Sequence, residues 1–291
     1  MPIHYLLPAL SAALYAVSSL FSKRALEEGV GIMRLSFVAN VGFFLVFAPL
    51  ALLANEPPDW RAVQWPILAG TGFFLGHVLT FSAIKFGDVS VQAPMMGTKV
   101  VFVATFTVII GAGTVPLHWW IGAGLTAVAI FLLGFSDWSN RRAVWRTALL
   151  ALSASAIFGL TDALVMKHAI SFGPGWFLCV VNAVMLLESI LLVPFFEGKM
   201  NAIPRKAWPW LIGGAGLMSL QALGIGISIA FWGEATAVNI IYASRGLWGI
   251  ILVWIIGSWF GNRERDAGGK VMGRRLVGAM LLVASIILVL I

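Results

Sequence analysis

The chain is dominated by apolar runs of the length that crosses a bilayer. A hydrocarbon core takes about 20 residues of helix. Reading between charged and Pro/Gly breaks gives ten such stretches. They are 6–22, 32–54, 65–86, 89–110 and 118–135 in the first half, then 146–167, 174–195, 208–232, 235–260 and 271–291 in the second. In a chain of 291 residues this leaves each span little more than a short loop, so no soluble domain fits between them. The composition agrees: 60% apolar and 11% charged, against about half and about a quarter in soluble domains. The fold expected is an all-α polytopic membrane protein. The single Cys179 excludes disulfide frameworks and cysteine-held metal clusters, and reads as a small apolar filler. Residues Met1–His4 precede the first span without a small-residue cleavage site, so that span is expected to be a retained helix.

The 19 Lys and Arg are unevenly distributed. Fifteen fall in the odd-numbered connections: Lys23, Arg24, Arg34, Lys85, Arg141, Arg142, Arg146, Lys199, Arg205, Lys206, Arg263, Arg265, Lys270, Arg274 and Arg275. The even-numbered connections hold only Arg61 and Lys167. Basic loops stay in the cytoplasm, so both termini are expected on the non-cytoplasmic side of the cell (inner) membrane. Two cations remain, Lys99 and Arg245, and both fall inside spans.

The sequence also resembles itself at an offset of about 142–146 residues. Ala9-Leu10-Ser11-Ala12 recurs as Ala151-Leu152-Ser153-Ala154, and Asn40 as Asn182. Further on, Gly87-Asp88 pairs with Gly233-Glu234, Ser90 with Thr236, Thr98 with Ser244, Lys99 with Arg245, and Ile109-Ile110-Gly111 with Ile255-Ile256-Gly257. Apolar identities are cheap in such a biased composition, whereas a run of matched polar pairs is not. The halves are residues 1–140 and 141–291. Each holds five spans, an odd number, so the second enters the membrane in the opposite sense. Ten transmembrane helices arranged as two inverted five-helix repeats are the result. Many secondary transporters use that arrangement, with the substrate near the midplane at the repeat interface.

With these features the chain resembles the drug/metabolite transporter superfamily, EamA type, over its whole length. The segment Phe81-Ser82-Ala83-Ile84-Lys85-Phe86-Gly87-Asp88-Val89-Ser90 is similar to that family's junction between the third and fourth helices. Gly273-Arg274-Arg275-Leu276-Val277-Gly278 is similar to its entry to the tenth, preceded by Glu264. The stretch after the fourth helix, Ile110-Gly111-Ala112-Gly113-Thr114, lacks the corresponding acid. The resemblance implies a five-plus-five helix transporter. In the related plastid-type sugar-phosphate translocators, basic residues on the fourth and ninth helices hold the phosphate, and the spans carrying Lys99 and Arg245 correspond.

A cation at a helix centre costs about 2.5–3.5 kcal/mol on insertion scales, so Lys99 and Arg245 need compensation. One arrangement is a clamp for an anionic solute, with Arg245 as a planar fork and Lys99 as a point charge. The other is internal pairing with Asp162 and Glu188, the acids that fall within spans. Gln92, Thr98, Asn239, Tyr242, Ser244 and Trp248 are further candidates to line the substrate site: Gln92 shares a helical face with Lys99, and Tyr242 is an i,i+3 neighbour of Arg245. Asp162, Glu188 and His77 are candidates for proton coupling. Asn40 and Asn182 read as helix-packing residues. Trp60, Trp65, Trp119, Trp120, Trp138, Trp208 and Trp210 read as interfacial anchors, and Trp232, Trp248 and Trp254 as deeper.

No HExxH, GxSxG or other catalytic cluster is present in the sequence, so no enzyme and no cofactor is expected. The function expected is secondary transport of a small organic anion, a carboxylate or phosphate metabolite, by alternating access, with exchange of one anion for another favoured. The alternative is a proton-coupled exporter of amphipathic metabolites, amino acids or drugs. The partners expected are the solute and membrane lipid, with no nucleic acid, in a monomer or homodimer.

Overall fold

The computed structural model describes residues 3–54, 56–86, 95–134, 141–256 and 269–291, and it has no strand among them. The first half contains α1 (Leu6–Glu27), α2 (Ile32–Leu52), α3 (Gln64–Phe86), α4 (Lys99–Ile109) and α5 (Leu117–Gly134). The second contains α6 (Arg141–Phe172), α7 (Pro174–Ser189), α8 (Trp208–Trp232), α9 (Ala235–Tyr242), α10 (Arg245–Ile256) and α11 (Gly269–Leu290). A 3-10 segment, Ile190–Phe195, prolongs α7.

Punctuation residues explain the sharpest boundaries. Gly31 precedes α2 at φ 80°, and Gly233 ends α8 in the left-handed conformation at φ 70°, which glycine adopts without steric cost. Pro174 opens α7 at its first turn, where its missing N–H is not needed. Five described segments are long and apolar enough to cross a membrane: Leu6–Glu27, Ile32–Leu52, Trp145–Phe172, Pro174–Phe195 and Arg205–Trp232. Leu10, Leu45, Leu149, Leu187 and Ile212 stand exposed on these helices, as side chains facing lipid do. Inside, Phe43 and Phe47 of α2, Phe74 of α3, Phe172 of α6 and Phe177 and Met185 of α7 share one apolar core.

Helix partners are reciprocal between the halves. α1 packs on α8 and α3 on α6; α2 packs on α7, and α5 on α11. Likewise α4 lies on α6 while α10 lies on α1. Small residues let the backbones approach. A Cβ on Gly70 would lie 2.7 Å from the Val181 carbonyl oxygen, and one on Gly42 would lie 2.6 Å from Ser219 Oγ.

Polar ties join the α1–α2 and α7–α8 connections. The Glu197 carboxylate accepts from the Ile32 and Met33 amides at 3.1 and 3.3 Å, capping α2 from the other half. Arg34 donates to the carbonyls of Gly29 (2.7 Å) and Lys199 (3.1 Å). Glu28 pairs with Lys206 and Arg24, and the bond from Lys206 holds its carboxyl below the ordinary glutamate value. At the opposite end of α1, His4 Nε2 lies 2.9 Å from Glu234 Oε2, with its ring stacked on Trp232. Burial and Glu234 push the Tyr5 hydroxyl up.

Two residues stand elsewhere than the sequence suggests. Arg34 is not in a connection: it lies in the first turn of α2 and is buried, because two backbone carbonyls outside that turn take its N–H groups. Trp232 is not deep: it closes α8 at 45% exposure beside the N-terminal segment. The sixth span extends at both ends to form the 32-residue α6.

Candidate functional site

The two cations expected in the middle of spans instead follow breaks. Gly97 and Thr98 form a turn before Lys99 opens α4, and Ala243 and Ser244 form one between α9 and α10, which Arg245 opens. At both places the backbone bonds tighten to i−3. Thr98 N donates to Met95 O at 3.1 Å and Val101 N to Thr98 O at 3.0 Å. Ser244 N donates to Ile241 O at 3.1 Å and Leu247 N to Ser244 O at 2.9 Å. Such 3-10 turns within a helix often mark a hinge or a sequence under strain. Thr98 Oγ1 donates to Met95 O, so its hydroxyl serves the turn. Ser244 is buried beside Arg245.

Lys99 reaches across to α6. Its Nζ lies 2.8 Å from Asp162 Oδ2, with Asp162 2% exposed and the lysine side chain 16% exposed. Asn239 of α9 donates to the same oxygen at 2.8 Å and to Ala235 O at 2.9 Å. A buried pair survives desolvation only when its remaining hydrogen-bond needs are met, and Asn239 meets one of them. The lysine also lies 5.7 Å from the centre of the Phe158 ring. His77 packs against Phe158 and Phe43.

Arg245 has a different surrounding. Its guanidinium sits in the corner between two nearly perpendicular rings, 4.9 Å from the centre of Tyr15 and 4.6 Å from that of Tyr242. Cation–π contacts contribute about 0.5–2 kcal/mol, more as the cation is withdrawn from water. No carboxylate among the described residues pairs with it. Tyr242 donates its hydroxyl to Gln221 Oε1 of α8 at 2.6 Å. Asn239 and Tyr242 are one turn apart on α9, so this helix links the Lys99–Asp162 pair to the Arg245 corner.

Of the alternative partners, then, Lys99 takes Asp162, whereas Glu188 accepts from Thr71 Oγ1 of α3 at 2.7 Å. The second Glu188 oxygen is shielded and has no hydrogen-bond partner among the described residues. Trp248 is 39% exposed. Asn182 donates within its own helix to Leu178 O, and Asn40 is buried. Gln92, Asp88 and Glu264 lie outside the described residues, as does the Trp254 side chain. Sequence reasoning missed Tyr15, Phe158 and Gln221. Tyr15 and Phe158 have a sequence signal: they are 143 residues apart, inside the offset of the repeat.

The helices and their lipid-facing surface define an integral membrane protein. Residues 2–135 match the EamA-like transporter family, so the family resemblance of the sequence stands over that stretch, and that family suggests a membrane transporter of small molecules. No curated protein matches the chain. A crystal structure superposes with a TM-score of 0.73 at 14% sequence identity, covering 98% of this chain and 96% of its own, and so shares the fold.

Proposed function

We propose that the chain is a secondary transporter of a small organic anion, a carboxylate or phosphate metabolite, working by alternating access between two inverted five-helix halves. The observation that carries this reading is Arg245, a cation within the bundle that meets tyrosine rings and no acid among the described residues. An anion at that corner would complete its compensation. The inverted repeat is supported by the reciprocal helix partners and by the matched breaks before Lys99 and Arg245. The charge distribution of the loops supports termini outside the cytoplasm of the cell membrane. Lys99, Arg245 and Asp162 together carry one net positive charge. Moving that charge empty past a dry barrier costs about 2.5–3.5 kcal/mol, which favours exchange of one anion for another over net flux.

The test is counterflow in vesicles holding the purified protein, with lactate, malate and glucose 6-phosphate as probes. Arg245→Ala is expected to lower the accepted anion's exchange at least tenfold, with counterflow in the parent exceeding net efflux. Transport of neutral or cationic solutes alone, unaffected by Arg245→Ala, would overturn the reading. A second reading, a proton-coupled exporter of amphipathic metabolites, amino acids or drugs, draws on the shielded Glu188 oxygen. It requires that an imposed pH gradient drive uphill movement and that Glu188→Gln abolish it.

A further inference from the structure

We infer that Asp162 sets the charge capacity of the site: it consumes Lys99 and leaves Arg245 to accept a substrate with a single negative charge. This rests on the organic-anion reading and narrows it from carboxylates and phosphates to monocarboxylates.

The site has a symmetry and one acid that breaks it. Lys99 and Arg245 occupy matching places in the repeat, each opening a helix after a turn. Each also lies over an aromatic ring on the first helix of the opposite half: Lys99 over Phe158 of α6, Arg245 over Tyr15 of α1. The surroundings share that ring and differ in two residues: Tyr242 beside Arg245, where the repeat places Met96, and an acid beside Lys99. Asp162 stands one turn beyond Phe158 and binds Lys99 at 2.8 Å. One turn beyond Tyr15, α1 has Ser18 and Ser19, and residues 16–20 contain no acid. One cation of a symmetric pair is therefore neutralised from within.

The neutralisation is built in. Asp162 is 2% exposed, and the oxygen that holds Lys99 also accepts from Asn239, itself anchored to Ala235 O. Pulling Lys99 away toward a ligand would strand a buried carboxylate. Arg245 offers a planar fork that matches a carboxylate bidentately. A monoanion there brings the three-residue cluster plus ligand to zero charge. A dianion leaves one uncompensated negative charge, and discrimination of about 100-fold corresponds to the insertion penalty of one such charge at a helix centre.

The experiment measures thermal stabilisation of the purified full-length protein by matched probes: lactate against malate, benzoate against phthalate, with lactamide and benzamide as neutral controls. Ligands that bind the folded state raise its melting temperature. The expected result is stabilisation by at least one monocarboxylate at about 100-fold lower concentration than its dicarboxylate. Asp162→Asn, which keeps the shape and frees Lys99, is expected to shift that ratio at least tenfold toward the dianion. Lys99→Gln added to Asp162→Asn restores one net charge and is expected to return the preference to the monoanion, which a purely structural role for Asp162 would not do. Equal or better stabilisation of the parent by the dicarboxylates overturns the inference, as does an unmoved ratio in Asp162→Asn, while leaving the organic-anion reading intact. Stabilisation by the amides alone, or by no probe, overturns both. Should Asp162→Asn fail to fold, the parent's ratio and the double variant decide.

Discussion

Gly42 of α2 faces Ser219 of α8 across the boundary between the halves, and the contact is close enough to predict what one methyl group does. A Cβ on Gly42 would lie 2.6 Å from Ser219 Oγ, with the Ala215 carbonyl oxygen at 3.5 Å and Ser219 Cβ at 3.7 Å. Only the hydroxyl is in the way. It is fully buried and donates to Ala215 O at 2.8 Å, so turning it aside strands a donor, at about 1–3 kcal/mol. Keeping it in place forces the helices apart by somewhat under 1 Å, an overpacking cost of about 1–3 kcal/mol. Alanine returns about 0.5–1 kcal/mol through its helix propensity, so Gly42→Ala should destabilise by about 1–2 kcal/mol net. In Ser219→Ala the obstacle is gone and the remaining neighbours stand at ordinary contact distance. Gly42→Ala in that background should therefore stabilise by its helix-propensity term of about 0.5–1 kcal/mol, giving a coupling equal to the steric cost of about 1–3 kcal/mol. Unfolding in mixed detergent micelles, followed by the fluorescence of the 13 tryptophans, measures all four corners of the cycle. Additive destabilisation, or a Gly42→Ala variant as stable as the parent, would refute the reasoning.

Glu197→Ala removes the charged acceptor of two α2 amides and should lower stability in the same assay by about 1–2 kcal/mol; no change would show that water replaces the cap. Glu28 has a depressed carboxyl value from its bond to Lys206, so its contribution is present above the ordinary glutamate value of about 4.3 and is lost as pH falls through the lower folded value. Glu28→Gln should accordingly flatten the acid limb of the stability profile and leave the neutral region's slope untouched. Tyr242→Phe keeps the ring beside Arg245 but deletes the bond to Gln221. It should cost about 1 kcal/mol of stability while retaining anion exchange within a few-fold; loss as deep as in Arg245→Ala would assign the hydroxyl itself to the ligand.

The ends of several helices were legible because punctuation wrote them. The eighth span, read as 208–232, is α8 residue for residue, bounded by Gly233, and α7 begins at Pro174 as expected. Hydropathy makes the ninth span, 235–260, continuous, yet it divides at Ala243 and Ser244. Neither residue forbids a helix, and the turn is held by local i−3 bonds that leave no mark on hydropathy. The site was legible as an inventory of charges and not as a wiring plan. Lys99, Asp162, Glu188 and Arg245 stood out because charges are costly in a span. Which acid meets which cation depends on the azimuth of each helix, and Asp162 is 63 positions from Lys99 in the chain. Tyr15 and Gln221 do not stand out by residue type for a related reason: in an apolar span such residues are usually packing groups, and only the fold puts a ring from α1 over Arg245 and an amide from α8 against the Tyr242 hydroxyl.

That wiring bears on how the halves can move. Lys99 of the first half is tied to Asp162 of the second, and Tyr15 of the first to Arg245 of the second. Each bond therefore crosses the boundary on which a rocking motion would act. The two contacts differ in kind: the ion pair is short, buried and shared with Asn239, whereas the cation–π corner has no fixed donor–acceptor geometry and leaves the guanidinium room to shift over the ring face. A hinge needs one contact that holds register and one that gives. In the proposed alternating-access cycle the Lys99–Asp162 pair would serve as the pivot, and the Arg245–Tyr15 contact would yield as a ligand enters or leaves. Replacing Tyr15 with leucine should then change the rate of exchange more than the affinity of the site.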